Sequence, residues 1–306
     1  MRGRRAKTEL VTKRRPRRAA QAFDTTFARM IRVAALVLAG SVAVAAGAGC
    51  APSPGDSRAL TVFAAASLRD VIDEIAEAFS EESGIEVVRN YAGSNVLARQ
   101  IRATDEADVY LSANENWMDH VAEAGRIVEG SRRAFLSNRL VIVTHHDSRL
   151  EIEGPDDLTG PDVDLVSLAD PEAVPAGRYA REWLQARARP GGSSVWDVLE
   201  DRVAPAPDVR AALALVEADP SVPGIVYRTD AAASDRVRVH YEVAGVEEPR
   251  VRYVAARIEG GASPAAADAF LAYLTGPDAA AVFERAGFVT VETEATDRRM
   301  PNEVPR

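Results

Sequence analysis

The sequence predicts an α/β protein whose sheets are mixed, mainly parallel and flanked by helices. From Leu60 onward, short apolar runs alternate with amphipathic stretches that have helical spacing. Such alternation is typical of α/β folds, in which right-handed crossovers place strands in parallel. Without its first 49 residues the 306-residue chain retains 257, enough for one large domain or two lobes.

The first elements illustrate this pattern. Residues 60–63 form a short apolar run that predicts a strand. Ser67 precedes the next helix as a predicted N-cap, and Gly84 follows it as a predicted stop. The apolar positions of this helix lie at helical spacing, at Leu68, Val71, Ile72, Ile75 and Phe79.

The alternation continues to about residue 285. A glycine-containing turn is predicted at residues 92–94. Further strands are predicted at 85–88, 109–111, 140–143, 165–168, 224–227, 237–241 and 251–255. Further helices are predicted around 96–101 and 117–121, and at 177–185, 195–199, 209–217, 264–274 and 279–285.

The first fifty residues have a different composition. Residues 1–32 carry eleven Lys or Arg against two acidic residues, and residues 33–49 are uncharged and rich in Ala, Val and Leu. A basic segment followed by a short apolar run predicts a secretory signal over residues 1–49. A permanent membrane helix is the alternative, but seventeen weakly apolar residues are at the lower limit for spanning a bilayer.

The single cysteine, Cys50, closes this apolar run. Ala-Gly-Cys resembles the lipobox of bacterial lipoproteins, although Gly47 stands where that motif usually has Leu. The resemblance implies a lipidated amino terminus at Cys50 and a lipid-anchored tether over residues 50–58. An ordinary signal cleavage beside a chance cysteine is the alternative, and one cysteine excludes a disulfide within the chain.

The leader is longer than a compact signal requires. Met30, Ile31 and Arg32 followed by the apolar run would form a complete signal. We therefore hypothesise that translation starts at Met30. A peptide from residues 7–25, detected in the precursor by mass spectrometry, would contradict this.

The charge of the exported part limits its partners. From Cys50 onward, 26 Arg and 44 acidic residues give a formal charge of −18, and Lys is absent. A strongly negative surface repels nucleic acid, so we expect no nucleic-acid partner.

Familiar catalytic motifs are absent from the sequence. It contains no Gly-x-Ser-x-Gly elbow, Walker A loop or His-Glu-x-x-His. His145 and His146 are adjacent, but neighbours on an extended segment point to opposite sides, so we expect a solvated strand end and no shared metal ion. Ser67 as a nucleophile would need a base, and no histidine pairs with it in a motif. We therefore expect a protein that is not an enzyme and carries no cofactor.

Four loop-to-helix junctions carry small or hydroxyl-bearing residues. The backbone N–H groups that begin a helix lack partners within it, and their dipoles favour an anion. For any one junction alone, ordinary helix capping is the favoured explanation. The junctions are residues 64–67, 92–95, 174–177 and 208–209.

These junctions lie in stretches that resemble the periplasmic molybdate-binding protein (ModA) family. Thr-Val-Phe-Ala-Ala-Ala-Ser-Leu at residues 61–68 is similar to the opening motif of that family, and Tyr-Ala-Gly-Ser-Asn-Val-Leu-Ala-Arg-Gln-Ile at 91–101 to its second motif. Further similar stretches follow in order at residues 107–113, 117–118, 137–141, 169–180, 208–213, 224–227, 274–277 and 287–288.

The resemblance implies a two-lobed periplasmic-binding-protein fold of type II, with the ligand in the cleft. Lobe 1 would comprise residues 59–139 and 246–306, and lobe 2 residues 140–245. The chain would be a monomer in solution and would deliver molybdate or tungstate to the permease and ATPase subunits of an ABC importer. By the same resemblance, hydroxyl and backbone N–H groups hold the oxyanion with no direct metal ligand, at Ser67, Ser94, Ala176, Val209 and Tyr227.

Neutral donors of this kind favour a fully deprotonated oxyanion. A protonated phosphate would bring its own hydrogen against a donor, which is costly in a buried site. Gly93 and Asn95 depart from the family, which often has serines there, and Asn95 could add a donor at the cleft edge.

Several alternatives stay open at this point. The same fold could bind sulfate, a small organic anion or ferric iron, although iron receptors usually offer several tyrosines and carboxylates. An exported serine hydrolase using Ser67 is less favoured because it lacks a base. The export signal argues against the ligand-sensing half of a transcription regulator.

Overall fold

The computed structural model describes residues 59–245 and 248–290. The predicted leader, Cys50 and the tether therefore lie outside the described residues, as does the end of lobe 1 after residue 290. Within the described part, none of the helices has the length and apolar character needed to cross a membrane.

The first sheet combines strands from both ends of the described chain. Their order is β11-β4-β10-β3-β1-β2, with β1 parallel to β2 and β3 and the other pairs antiparallel. The strands are β1 (Leu60–Ala65), β2 (Val87–Ala92), β3 (Val109–Ser112), β4 (Arg133–Ser137), β10 (Tyr253–Arg257) and β11 (Val289–Thr290).

The second sheet is formed by the middle of the chain. Its order is β7-β6-β8-β5-β9, in which β6 is parallel to β7 and β8, whereas β5 is antiparallel to β8 and β9. Its strands are β5 (Leu140–His145), β6 (Val166–Ala169), β7 (Val203–Ala206), β8 (Gly224–Tyr227) and β9 (Val237–Glu242).

The two sheets confirm the predicted two-lobed α/β fold but are less parallel than expected. Five of the nine strand pairs among the described residues are antiparallel. These antiparallel pairs involve the strands beside the two crossings between sheets, β4 and β5 at the first and β9 and β10 at the second. At each crossing the chain passes into the other sheet. It therefore does not form the helical connection that joins two parallel neighbours within one sheet. The lobe boundaries themselves stay a prediction.

Helices flank both sheets. In the first lobe they are α1 (Arg69–Ser83), α2 (Ser94–Ala103), α3 (Glu115–Glu123), α8 (Pro264–Leu274) and α9 (Pro277–Arg285). In the second they are α4 (Pro175–Ala186), α5 (Val195–Leu199), α6 (Val209–Ala218) and α7 (Arg228–Ala232).

The ends of α1 test the predicted cap and stop. Gly84 adopts a left-handed φ of 72° directly after α1, which confirms it as the stop. Ser67 is not an N-cap, because a 3₁₀ turn at Ala66–Leu68 precedes α1 and has no side-chain cap. The buried hydroxyl of Ser67 is therefore available for other contacts.

Candidate functional site

One small cavity between the two sheets brings all five predicted site residues together. Both sheets contribute to it through the loops at their strand ends. Its lining residues are Ala65, Ala66, Ser67, Gly93, Ser94, Ala113, Val174, Pro175, Ala176, Asp208, Val209 and Tyr227.

Two helices of the second lobe begin at this cavity. Helix α4 starts with Pro175 and has no side-chain cap, so the N–H of Ala176 in its first turn has no helical partner. Helix α6 starts at Val209, and the Asp208 carboxylate that caps it accepts from Ala211 N at 2.9 Å. This leaves the N–H of Val209 free of the cap. Both helix starts therefore present donors and positive dipole ends to the cavity.

The first lobe contributes two buried serines. Ser94 begins α2, and its Oγ accepts a hydrogen bond from Ala113 N at 3.0 Å. Ser67 Oγ lies 3.0 Å from Tyr253 Oη. Because Ser94 Oγ already accepts from a backbone N–H, its own proton remains for another acceptor.

Tyr227 completes the donor set from the end of β8. Its side chain is buried, and its Oη has no hydrogen-bond partner in the described part of the chain. Burial raises the pKa of Tyr227 well above its usual value, so the phenol remains protonated. An unpaired buried hydroxyl is costly, and an acceptor placed in the cavity would satisfy it.

The residues that line the cavity can donate hydrogen bonds to a small anion without a cationic side chain among them. No Lys or Arg is among the lining residues described above, and the one lining carboxylate, Asp208, is engaged in capping α6. The arrangement can therefore bind an anion through neutral hydroxyl and N–H groups. It offers neither a histidine as general base nor a set of anionic oxygens for a metal ion.

Close backbone packing fixes the position of two loops. A Cβ at Gly93 would lie 2.8 Å from Pro207 O, across the cleft in the other lobe. A Cβ at Gly177 would lie 2.0 Å from Ala169 O, at the end of β6. Gly93 thus allows the two lobes to approach closely, and Gly177 allows α4 to start directly beside the sheet.

Two polar contacts join the lobes beside the cavity. Trp117 Nε1 of α3 donates to Ala173 O, just before α4, at 2.7 Å. Arg210 of α6 forms an ion pair with Asp70 of α1, and its Nε lies 2.7 Å from the buried Asp230 Oδ1. Burial raises the pKa of Asp230 to about 7, whereas the Arg210 guanidinium lowers it. These contacts hold the two lobes close together around the cavity.

The prediction that the side chains of His145 and His146 point to opposite sides of a solvated strand end was wrong. His145 is buried and its ring stacks on that of His146, with ring centroids 4.4 Å apart and planes at 26°. Ligand atoms of both rings and of Asp147 lie within 4.8 Å of one another. The strand ends at His145, so the alternation of side chains stops there. The two rings and Asp147 therefore form a cluster of possible ligand groups at the end of β5.

Comparison with known proteins identifies the family. A family model described as bacterial extracellular solute-binding protein matches residues 60–289. The chain belongs to this family. This solute-binding protein is 41% identical to the molybdate-binding protein ModA of Escherichia coli (strain K12) over 237 residues, which cover 76% of this chain and 90% of the relative. The sequence resemblance is thereby confirmed, and the chain is an exported binding protein and not an enzyme.

Solved structures support the same fold. The periplasmic molybdate-binding protein of Azotobacter vinelandii matches with a TM-score of 0.66 and 22% identity, covering 75% of this chain and 98% of that one. The sulfate-binding protein SubI from Mycobacterium tuberculosis H37Rv matches with a TM-score of 0.68 and 17% identity, covering 79% of this chain and 91% of that one. At these identities the two structures show the fold alone.

Proposed function

We propose that this solute-binding protein is the molybdate- or tungstate-binding component of an ABC importer. The observation that carries the proposal is the convergence of neutral donors on one buried cavity, including the unpaired hydroxyl of Tyr227. Ser67, Ser94, Ala176 and Val209 would supply the remaining donors. The name of the Escherichia coli relative supports the choice of anion.

A tetrahedral dianion matches this donor set. Every oxygen of molybdate or tungstate is an acceptor, so each could accept from a hydroxyl or an N–H without leaving an unpaired group. Backbone N–H groups and helix dipoles that already point into the cavity can stabilise the anion without a cationic side chain beside it. The negative charge of the exported part is therefore no obstacle, because the anion would contact only local donors.

The alternative ligands fit the cavity less well. Ferric iron requires anionic oxygens, whereas the Tyr227 phenol stays protonated and Asp208 caps α6. A serine hydrolase would need a base beside Ser67, whose side-chain partner in the structure is Tyr253. Sulfate and small organic anions remain the alternatives in the same fold. Sulfate would have to be distinguished from molybdate by its smaller size.

Binding would couple to transport through closure of the two lobes, residues 59–139 with 246–306 and residues 140–245. The contacts of Trp117 with Ala173 and of Arg210 with Asp70 would form on closure and present one rigid surface to the permease. The protein would act as a monomer, and the ATPase subunit of the importer would drive release into the permease.

Titration calorimetry with four anions tests the ligand. Molybdate and tungstate should each bind at one site per chain, whereas sulfate and phosphate should give no comparable heat at the same concentrations. Binding of sulfate alone would keep the fold and overturn the proposed ligand. Binding of none of the four would overturn the class of oxyanion.

We also propose that Cys50 is lipidated after removal of the leader, which anchors the protein to the membrane. A Cys50→Ser variant should then move from the membrane fraction to the soluble fraction of the cell. Equal membrane association of variant and wild type would contradict the anchor.

A further inference from the structure

The hydroxyl of Ser67 lies at the end of a buried chain of hydrogen bonds. Tyr253 Oη lies 3.0 Å from Ser67 Oγ and 3.4 Å from Asn138 Nδ2. The same Asn138 Nδ2 donates to Thr229 Oγ1 at 2.8 Å. Asn138 stands between β4 and β5, at the first crossing between the sheets, and Tyr253 begins β10. The three side chains of this Asn138–Tyr253–Ser67 relay are buried.

The direction of these hydrogen bonds is fixed from the Asn138 end. Asn138 Oδ1 accepts from Arg139 N at 2.9 Å, so the amide oxygen faces the backbone and the NH₂ group faces Tyr253. An NH₂ group can only donate, so Tyr253 Oη accepts from it. Ser67 Oγ is the remaining hydrogen-bond partner of Tyr253 Oη in the described part of the chain, which favours Tyr253 as the donor of the bond between them.

This direction leaves the Ser67 proton available to the cavity. Burial raises the pKa of Tyr253, so its phenol keeps the proton that it donates. The Ser94 hydroxyl is oriented in the same way, because its oxygen accepts from the N–H of Ala113 and its proton remains available to the cavity. With the unpaired Tyr227 hydroxyl, all three side-chain hydroxyls of the cavity can then donate to a ligand.

We propose that Asn138 and Tyr253 are specificity-determining positioning residues, which hold the Ser67 hydroxyl as a donor and so exclude oxyanions that carry a proton. The inference rests on the proposed oxyanion function and extends it to two residues outside the cavity lining. A protonated oxyanion would place its hydrogen against the Ser67 proton, and the relay disfavours the rotation by which Ser67 would accept that hydrogen.

Reversing the relay is the sharpest test. In Asn138→Asp, the carboxylate can accept from Arg139 N, Thr229 and Tyr253, so Tyr253 turns its proton away from Ser67. Ser67 then donates to Tyr253 and presents lone pairs to the cavity. Hydrogen phosphate and sulfate have similar size and, at mildly alkaline pH, equal charge, but only phosphate carries a proton. The phosphate-to-sulfate affinity ratio should therefore rise about tenfold or more, while molybdate binding weakens.

Tyr253→Phe removes the relay without adding charge. Molybdate should bind about three- to tenfold more weakly, and the phosphate-to-sulfate ratio should rise about threefold. In the background of Ser67→Ala, the same Tyr253→Phe change should have little further effect on molybdate, because Tyr253 acts through Ser67.

Tyr110→Phe is the matched control. Tyr110 is also buried and donates to a cavity serine, but its acceptor is the backbone oxygen of Ser94, at 2.9 Å. It should keep the wild-type phosphate-to-sulfate ratio. Circular dichroism shows whether each variant folds. If Asn138→Asp does not fold, the phosphate-to-sulfate ratio of Tyr253→Phe alone tests the relay.

The possible results distinguish failure of the oxyanion function from failure of the relay. A wild-type protein that binds none of the anions overturns the oxyanion function and the relay with it. A wild-type protein that binds molybdate, with an unchanged phosphate-to-sulfate ratio in the folded variants, overturns the relay alone.

Discussion

Molybdate at about a thousand times its dissociation constant is expected to raise the unfolding temperature by about 8–16 °C. A ligand that binds only the folded state at this excess stabilises it by about 4 kcal/mol. For a chain of this size, each kcal/mol shifts the midpoint by about 2–4 °C. Differential scanning calorimetry with each anion in turn measures the effect, and tungstate should behave like molybdate.

Serine variants provide the control for this shift. Ser94→Ala should lose about 1–3 kcal/mol of the ligand-dependent stabilisation at the same molybdate concentration, because one ligand oxygen loses its donor. Ser67→Ala should lose a similar amount. Their unfolding without ligand should change far less than the shift itself. Retention of the full shift in both variants would exclude the assigned cavity as the binding site.

The regular elements could be predicted because their patterns are local. The bounds of α5, α8 and β8 agree with the sequence prediction, since turn or cap residues flank a clear apolar pattern. Three strands, β4, β7 and β11, and one helix, α7, were missed. Strand β7 contains Pro205, which argues against a strand except at an edge, and β7 is indeed an edge strand. Helix α7 has five residues, too few to show a period.

The cavity residues could be named in advance only through family motifs. Their five positions lie between residues 67 and 227, and no local rule brings them together. The supporting residues were harder to find. Tyr253 lies 186 positions from Ser67 and occupies an ordinary apolar strand, so its contact depends on the pairing of β10 with β3 and β4. Asn138 stood within a family-like stretch, which was the one signal available.

The misassigned role of Ser67 has a physical explanation. Serine before an apolar helical pattern usually caps the helix, because its oxygen can accept from a first-turn N–H. Here the 3₁₀ turn moves the start of α1 to Arg69, and the serine hydroxyl contacts Tyr253 instead. An uncapped helix start beside a cavity is a departure from the local rule, and such departures concentrate at functional sites.

Replacing Gly177 by alanine is expected to destabilise the protein by about 2 kcal/mol or more and to lower its unfolding temperature by about 4–8 °C. A methyl group there would lie 2.0 Å from Ala169 O and 2.6 Å from Asp170 O, and neither backbone oxygen can rotate away. Alanine gains about 1 kcal/mol of helix propensity, which is smaller than the cost of overpacking against two carbonyls. Thermal unfolding without ligand measures the net effect.

Gly154→Ala is the control for this substitution. Gly154 has an extended φ of −168°, which alanine adopts freely, and the nearest atoms to its Cβ would be Tyr241 ring carbons at 3.9 and 4.0 Å. Its stability should change by less than about 0.5 kcal/mol. In Gly177→Ala, α4 must also move away from β6, which carries the Ala176 N–H out of the cavity, so the molybdate-dependent shift should shrink as well. If the two variants unfold alike, close packing of α4 against β6 does not position the site.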